Sequence, residues 1–168
     1  MKSVLKICLV AIMVFSAGMV KAQTLKFAHI DSQALIQAMP ETTAAQKTLE
    51  QQAKGLEDQL LSMQKEFQSK LAEYTQKADS LTDIVRSAKE EDLQNLQQRI
   101  QTFNQSAQQK IQQKQAELMQ PVFNKANETI EAVAKEQGVI YVFDTNNVLY
   151  KSNQSIDLLP LVKTKLGI

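Results

Sequence analysis

The sequence has little of what enzymes and metal proteins commonly use: among its 168 residues it has one cysteine and one histidine. Cys8 lies in the apolar leader described below, so the rest of the chain has no thiol for a disulfide. His29 has no second histidine or cysteine at metal-ligand spacing, and no glycine-rich phosphate loop is present. We therefore expect a non-catalytic protein without cofactor or metal. Asp144 and Asp157 are then explained by a turn and a helix cap.

An excess of charge of one sign is also missing. The full chain carries a formal net charge of +1, and it carries −2 once Lys2, Lys6 and Lys21 of the leader are left out. Nucleic-acid binding relies on a clear excess of Lys and Arg, so we expect no nucleic-acid partner. After residue 22, no apolar run approaches the roughly 20 residues that a membrane-spanning helix needs.

Residues 1–22 have the pattern of a secretory signal peptide. Lys2 and Lys6 give a basic start, an apolar run extends over 7–15, and Val20-Lys21-Ala22 places small residues before a cut at Gln23. The alternative is a membrane anchor, but the apolar run is too short to span a bilayer. We expect cleavage and export.

Proline and glycine are nearly absent from residues 41–137, where Pro121 and Gly55 are the only examples. Helix-favouring Gln, Lys, Glu, Ala and Leu dominate instead. Apolar residues recur there every three or four positions, which is typical of one face of a helix. The first such stripe is Ala45, Leu49, Ala53, Leu56, Leu60, Met63, Phe67, Leu71, Tyr74, Ala78, Leu81 and Val85. The second is Leu93, Leu96, Ile100, Phe103, Ala107, Ile111, Leu118, Val122, Ala126, Ile130 and Val133, interrupted by Lys114.

The two stripes are equal in length and predict an antiparallel helical hairpin with its tip near 83–87. Ser87 followed three residues later by Glu90 is a capping-box signature for the start of the second helix. One continuous helical rod remains the alternative. Pro121 lies within the second stripe and should kink or break that helix, which makes it a candidate hinge at the root of the arm.

The second helix is unusually rich in glutamine, with ten of the 22 residues from Gln94 to Gln115. Glutamine is uncharged and both donates and accepts hydrogen bonds, so this helix is either a wet outer surface or a polar lining that touches a partner without fixing it. Four apolar residues lie off the stripes, and they either widen the seam between the helices or form an exposed surface. They are Leu61, Ile84, Met119 and Phe123.

The segments on either side of the arm, 23–40 and 138–168, predict a small body. The first holds a strand over 25–31 and a short helix over 33–39, which Pro40 ends. The second holds strands over 139–143 and 148–151, joined as a β-hairpin, and a last helix capped by Asp157 with Leu158, Leu161, Val162 and Leu166 facing inward. Three short strands cannot close a core alone, so we expect them to pair with copies from other chains.

The final strand segments carry the most specific resemblance. Asp144, Asn146, Val148 and Tyr150 match the Asp-x-Asn-x-Val-x-Tyr pattern of the Skp/OmpH family of periplasmic chaperones, and the strand ending Ile30-Asp31, the helical hairpin and Asp157-Leu-Leu also fit. The chain resembles this family over essentially all of residues 24–168. The resemblance implies a mainly α fold with a small β body, in which strands from three chains form an intersubunit β-barrel and three helical arms enclose a cavity, as in a jellyfish.

The resemblance further implies an ATP-independent holdase of the periplasm that binds unfolded outer-membrane β-barrel proteins. The expected client-binding residues are Leu61, Met63, Phe67, Tyr74, Ile84, Phe103, Met119 and Phe123. The expected residues of the oligomerisation body are Leu25, Phe27, Ile30, Val139, Tyr141, Phe143, Val148 and Tyr150.

One departure from the family limits this transfer. Better-known members are strongly basic, whereas residues 72–100 here carry four basic and six acidic side chains. A lipopolysaccharide or acidic-membrane site is therefore not carried over. The alternative function is a coiled-coil spacer or adaptor of the cell envelope with one dedicated partner.

Overall fold

The computed structural model describes residues 25–168, so the expected signal peptide lies outside the described residues. Two long helices and a small three-stranded sheet make up this part of the chain, which confirms the predicted fold class of helical arm and β body. The elements are β1 (Phe27–Ile30), α1 (Ser32–Ala38), α2 (Pro40–Lys77), α3 (Asp83–Gln137), β2 (Tyr141–Asp144), β3 (Ile156–Asp157) and α4 (Leu159–Leu166). Within residues 25–168, no helix is long and apolar enough to cross a membrane.

Helices α2 and α3 form an antiparallel hairpin, as predicted. Lys125 bonds to Glu41 near the root, and Lys70 Nζ lies 2.5 Å from Asp92 Oδ2 towards the tip. Pro40 occupies the first turn of α2, where its missing N–H costs nothing. Gly138 ends α3 at φ 63°, a left-handed conformation that glycine adopts without strain.

The tip lies earlier than predicted. A 3₁₀ turn over Ala78–Ser80 closes α2, and α3 begins at Asp83 with the Thr82 hydroxyl accepting a hydrogen bond from the Val85 N–H. Ser87 is inside α3, so its capping box is not used. Thr82 takes the cap because the chain is already extended there, at φ −68° and ψ 155°. Val85 consequently belongs to the second helix rather than to the first stripe.

Helix α3 continues through Pro121, so the expected break does not occur. The two residues that follow on the inner face, Val122 and Ala126, are buried in the body core. Their packing holds the backbone helical on the C-terminal side of the proline. The role of Pro121 as a hinge stays a prediction.

The body closes its own core within one chain, contrary to the expectation from the strands alone. The sheet is parallel with strand order β2-β1-β3, and β1 is central. The C-terminal part of α3, at the root of the arm, packs with α1 and α4 against one sheet face and so covers the core. The buried cluster is Ala28, Ile30, Leu35, Met39, Val122, Ala126, Val133, Leu158 and Val162.

The expected β-hairpin over 139–151 is wrong. A 3₁₀ turn over Thr145–Asn147 follows β2, residues 148–151 are irregular, and the third strand is Ile156–Asp157 on the far side of β1. Residues 148–151 form no strand, so β2 pairs with β1 alone among the strands of residues 25–168. The expected helix cap is partly confirmed, because the Leu159 N–H donates to Asp157 Oδ1 at 3.0 Å. Leu158 and Val162 face inward, whereas Leu161 is exposed.

Gly55 lies inside α2, and a Cβ placed on it would meet no atom within 4 Å. Glycine in a helix interior is about 1 kcal/mol less favourable than alanine. We expect Gly55→Ala to raise the free energy of unfolding by about 1 kcal/mol. Urea denaturation followed by helical circular dichroism measures this, and an unchanged or lower midpoint would contradict it.

Candidate functional site

The seam between α2 and α3 is closed at its two ends and open between them. Towards the tip, Leu96 is 2 % exposed and Leu93 is also buried, and near the root Ala45 and Val122 are buried. Between these ends, every stripe residue over 49–67 and 100–118 is half-buried or exposed. Apolar surface is therefore accessible along the middle of the arm.

Two grooves lie on this open stretch. The first has a volume of about 390 Å³, and the second about 410 Å³. Gln112 lines both, so the grooves are neighbours along the arm. Their apolar floor and walls are formed by Leu49, Ala53, Leu56, Leu60, Ala107, Ile111, Leu118, Met119 and Phe123. Glu57 is the one charged residue among those lining these two grooves.

The charged and uncharged residues of α3 lie on opposite sides of the seam. We call one row of α3 the uncharged side, and its members from Gln108 onwards line the two grooves: Gln101, Gln105, Gln108, Gln112, Gln115, Met119 and Phe123. Between residues 94 and 123, the four charged residues are Arg99, Lys110, Lys114 and Glu117. Their spacings place them on one face, about half a turn from the uncharged side.

A third groove confirms this division. It has a volume of about 310 Å³ and is lined by Glu41, Pro121 and Lys125. Ala45 and Leu118 line both the second and the third groove, so these two grooves lie on opposite sides of the seam. One side of the arm root is therefore apolar and amide-rich, and the other carries an ion pair between Lys125 and Glu41.

The structure brings together part of the expected client-binding set. Met119 and Phe123 line the second groove. Leu61 lies four residues after Glu57, so the two side chains are neighbours on the same face of α2. Met63, Phe67 and Phe103 are half-buried in the seam. Ile84, in the first turn of α3, is 84 % exposed at the tip and far from the grooves along the helix. Gln108 and Gln112 are not predicted individually from the sequence, although the spacing of the four charged residues is a signal that could have identified them.

Tyr74 belongs to a group of hydrogen bonds and ion pairs that join α2 and α3 near the tip. Its hydroxyl bonds to Glu90, and Lys89 Nζ lies 3.2 Å from Glu73 Oε1. The hydrogen bond from Lys89, and next the one from Lys77, lowers the pKa of the Glu73 carboxyl, whereas bonding to Glu90 raises the pKa of Tyr74. These groups are solvent-exposed, so each pair stabilises the hairpin only slightly.

The outer face of the sheet is a second unpartnered surface, which we call the aromatic face. Phe27, Tyr141 and Phe143 are exposed there, with ring centroids 6.0–6.4 Å apart. His29 lies beside them, with Nδ1 2.9 Å from Ser155 Oγ and Nε2 3.0 Å from Lys151 Nζ. The histidine is therefore held by polar neighbours of the adjoining loop.

The expected oligomerisation residues divide between the two sheet faces. Ile30 is buried in the core and Val139 packs against it. The other six are at least partly exposed, and most of them border a groove of about 980 Å³ beside the aromatic face: Leu25, Phe27, Tyr141, Phe143, Val148 and Tyr150. Leu149 is also fully exposed and lines this groove, although sequence analysis did not single it out.

The Asp-x-Asn motif ties strand ends together. Asp144 accepts hydrogen bonds from the Ser32 hydroxyl and from the Asn146 N–H, and the Asn146 amide also reaches Asp31 Oδ1 at 3.4 Å. The hydrogen bond from Ser32, followed by the one from Asn146, lowers the pKa of the Asp144 carboxyl. The motif residues therefore join the carboxyl ends of β1 and β2 to the start of α1.

This carboxyl gives a pH dependence of stability. Because its pKa is lower in the folded state, its contribution is fully present above the pKa of an unfolded aspartate and is lost as pH falls through the folded value. We expect a lower urea midpoint at pH 3 than at pH 7. Asp144→Asn should show a smaller difference between the two pH values, and an equal difference in both proteins would contradict this role.

Comparisons with known proteins agree with this architecture. The family model described as "Outer membrane protein (OmpH-like)" matches residues 26–166. A solved structure from Caulobacter crescentus, described as an OmpH-like outer membrane chaperone, superposes with a TM-score of 0.76 over 89 % of this chain and 88 % of its own. Its sequence identity is 15 %, so it shows the shared fold.

Similar sequences include two proteins named "Chaperone protein Skp". The one from Pectobacterium atrosepticum is 26 % identical over 82 % of this chain and 86 % of its own length. The one from Yersinia enterocolitica is 23 % identical over 94 % and 98 %. The Skp-like chaperone family is not enzymatic, which agrees with the predicted absence of catalysis. The chain belongs to the OmpH-like outer membrane protein family.

Proposed function

We propose that the protein is an ATP-independent holdase of the periplasm that keeps unfolded outer-membrane β-barrel proteins from aggregating. The observation that carries this proposal is the half-open seam of the arm, where apolar side chains stay accessible beside uncharged amides. Such a surface offers many weak contacts and no fixed pocket, as binding of varied unfolded chains requires. Family membership and the Skp-named relatives support the same function.

The proposed assembly is a homotrimer formed through the aromatic face. Three exposed aromatic rings and the apolar segment 148–150 form a contiguous patch on the body, and monomeric proteins rarely leave such patches uncovered. Burying this face between copies leaves the arms free to project. Three arms around a central space would then enclose a client, and Pro121 at the arm root would act as the hinge.

The tip gives no support for a lipid contact. Residues 72–100 carry more acidic than basic side chains, and an anionic membrane surface attracts the opposite charge. The proposed partners are therefore unfolded clients and other copies of this chain. For an adaptor with one dedicated partner, we would expect the seam between α2 and α3 to be closed along its whole length.

The test dilutes a urea-unfolded outer-membrane β-barrel protein into buffer with and without residues 23–168, and follows light scattering. We expect the protein to suppress aggregation without ATP and near one oligomer per client. Unchanged aggregation would contradict the holdase and favour the adaptor.

A further inference from the structure

Resting on the proposed function, we infer that the client lies along the uncharged side of the arm, as an extended segment that covers most of one barrel strand. Its apolar side chains would enter the two grooves that meet at Gln112. The opposite side of α3, which carries Arg99, Lys110, Lys114 and Glu117, would face away from the client. The inference thus assigns an inner and an outer side to each arm.

The length of the grooved part of the uncharged side fits most of such a segment. From Gln108 to Phe123, the members that line the grooves, the helix rises about 23 Å, at about 1.5 Å per residue. An extended chain covers that distance with about seven residues, at about 3.3 Å each. A membrane β-strand has roughly nine to eleven residues. The grooves of one arm can therefore hold most of one future strand.

The chemistry also fits an unfolded barrel strand. Its side chains point alternately to opposite sides, apolar towards lipid and polar towards the lumen, and its backbone N–H and C=O groups have no partners. The apolar side chains can enter the grooves, whose floor is formed by Leu56, Leu60 and Ile111. Glutamine amides along the rim both donate and accept, so they can bond to the free backbone of any sequence.

The uncharged side of α3 has no charged residue and Glu57 of α2 is the one carboxylate across the groove, so binding should depend only weakly on the charges of a client. A lysine or carboxylate here would favour some segments and repel others, and it would lose hydration whenever an apolar side chain covered it. Glu57 is the one charged residue among those lining the two grooves. We accordingly expect the affinity of the arm for a client segment to change little between low and moderate salt.

The experiment uses two pairs of lysine substitutions that differ by one position. Gln108→Lys with Gln112→Lys places two charges on the uncharged side. Gln109→Lys with Gln113→Lys places the same two charges about 100° further round the helix, on the face of α3 that points away from α2. All four glutamines are exposed, and lysine matches glutamine in helix propensity, so both variants should fold. Binding of a fluorescently labelled, urea-unfolded barrel protein is measured together with the oligomer mass of each variant.

We expect the Gln108/Gln112 pair to weaken binding about tenfold and the Gln109/Gln113 pair to leave it within about twofold. If the wild-type protein binds the client and the two lysine pairs weaken that binding equally, the inference is overturned and the holdase proposal stands. A change of oligomer mass confined to the Gln108/Gln112 pair would also overturn it, because the uncharged side would then contact another arm. Failure of the wild type to bind would instead contradict the proposed function.

Discussion

Replacing Phe143 with aspartate should convert the proposed homotrimer into folded monomers. The ring is 45 % exposed in the single chain and stacks beside Phe27 and Tyr141 on the aromatic face. A carboxylate buried there between copies would lose its hydration without gaining a partner. Burying an unpaired charge in this way costs on the order of several kcal/mol at each interface. Sedimentation should show the mass of one chain, with the helical circular dichroism retained.

Phe123→Asp is the matched control for this change. Phe123 is also 45 % exposed, but it lies on the arm beside the second groove. We expect this variant to keep the mass of the wild-type oligomer. Assembly of Phe143→Asp at the wild-type mass, or dissociation of Phe123→Asp alone, would contradict the assignment of the aromatic face.

Changing Leu61, Met119 and Phe123 together to serine should abolish most client holding and leave the oligomer intact. These side chains are at least partly exposed on the grooved side of the arm, so their loss removes contact surface for a client. Leu61 and Phe123 are exposed, whereas Met119 also packs against the body core, so the hairpin should persist with a lower free energy of unfolding. Light scattering of a diluted barrel protein should rise to nearly its level without chaperone, while sedimentation stays unchanged.

Ile84→Ser with Val85→Ser controls for the removal of exposed apolar side chains in general. Both residues are exposed in the first turn of α3, away from the grooves. We expect a clearly smaller loss of holding from this pair. Loss of the oligomer in the triple variant would instead mean that Leu61, Met119 and Phe123 belong to the structural core.

The sequence predicted the long helices well because their signals are local and repeated. Apolar spacing placed the two stripes, and Gly138 marked the end of α3. The tip was misplaced because two capping residues, Thr82 and Ser87, compete within a few positions. Only the geometry of the turn, with Arg86 donating to the Ala78 carbonyl at 3.1 Å, decides between them.

The sheet was predicted less well because strand pairing is not local. Segment 148–151 has the residue types of a strand but forms none, and the strand that joins the sheet after β2 is Ile156–Asp157, which pairs with β1. The closed core was missed for a similar reason. In the sequence, the second stripe of the arm includes Val122, Ala126 and Val133. In the structure these residues pack in the body core, against the sheet and Leu35.

The two sides of the arm were present in the sequence but needed the seam to be recognised. Glutamine content alone left open whether α3 was a wet surface or a lining. Once Leu118 and Ala45 are placed in the seam, the amides of Gln108 and Gln112 fall beside the grooves. Lys125 then falls on the other side. Composition alone does not determine the direction in which a side chain points relative to a partner helix.

The most direct test of the account is the native mass of the complex formed when an unfolded outer-membrane β-barrel protein is diluted into residues 23–168. Enclosure by three arms predicts three copies of the chain with one client, formed without ATP. A client bound by a single chain, or an oligomer that leaves the client free, would contradict it.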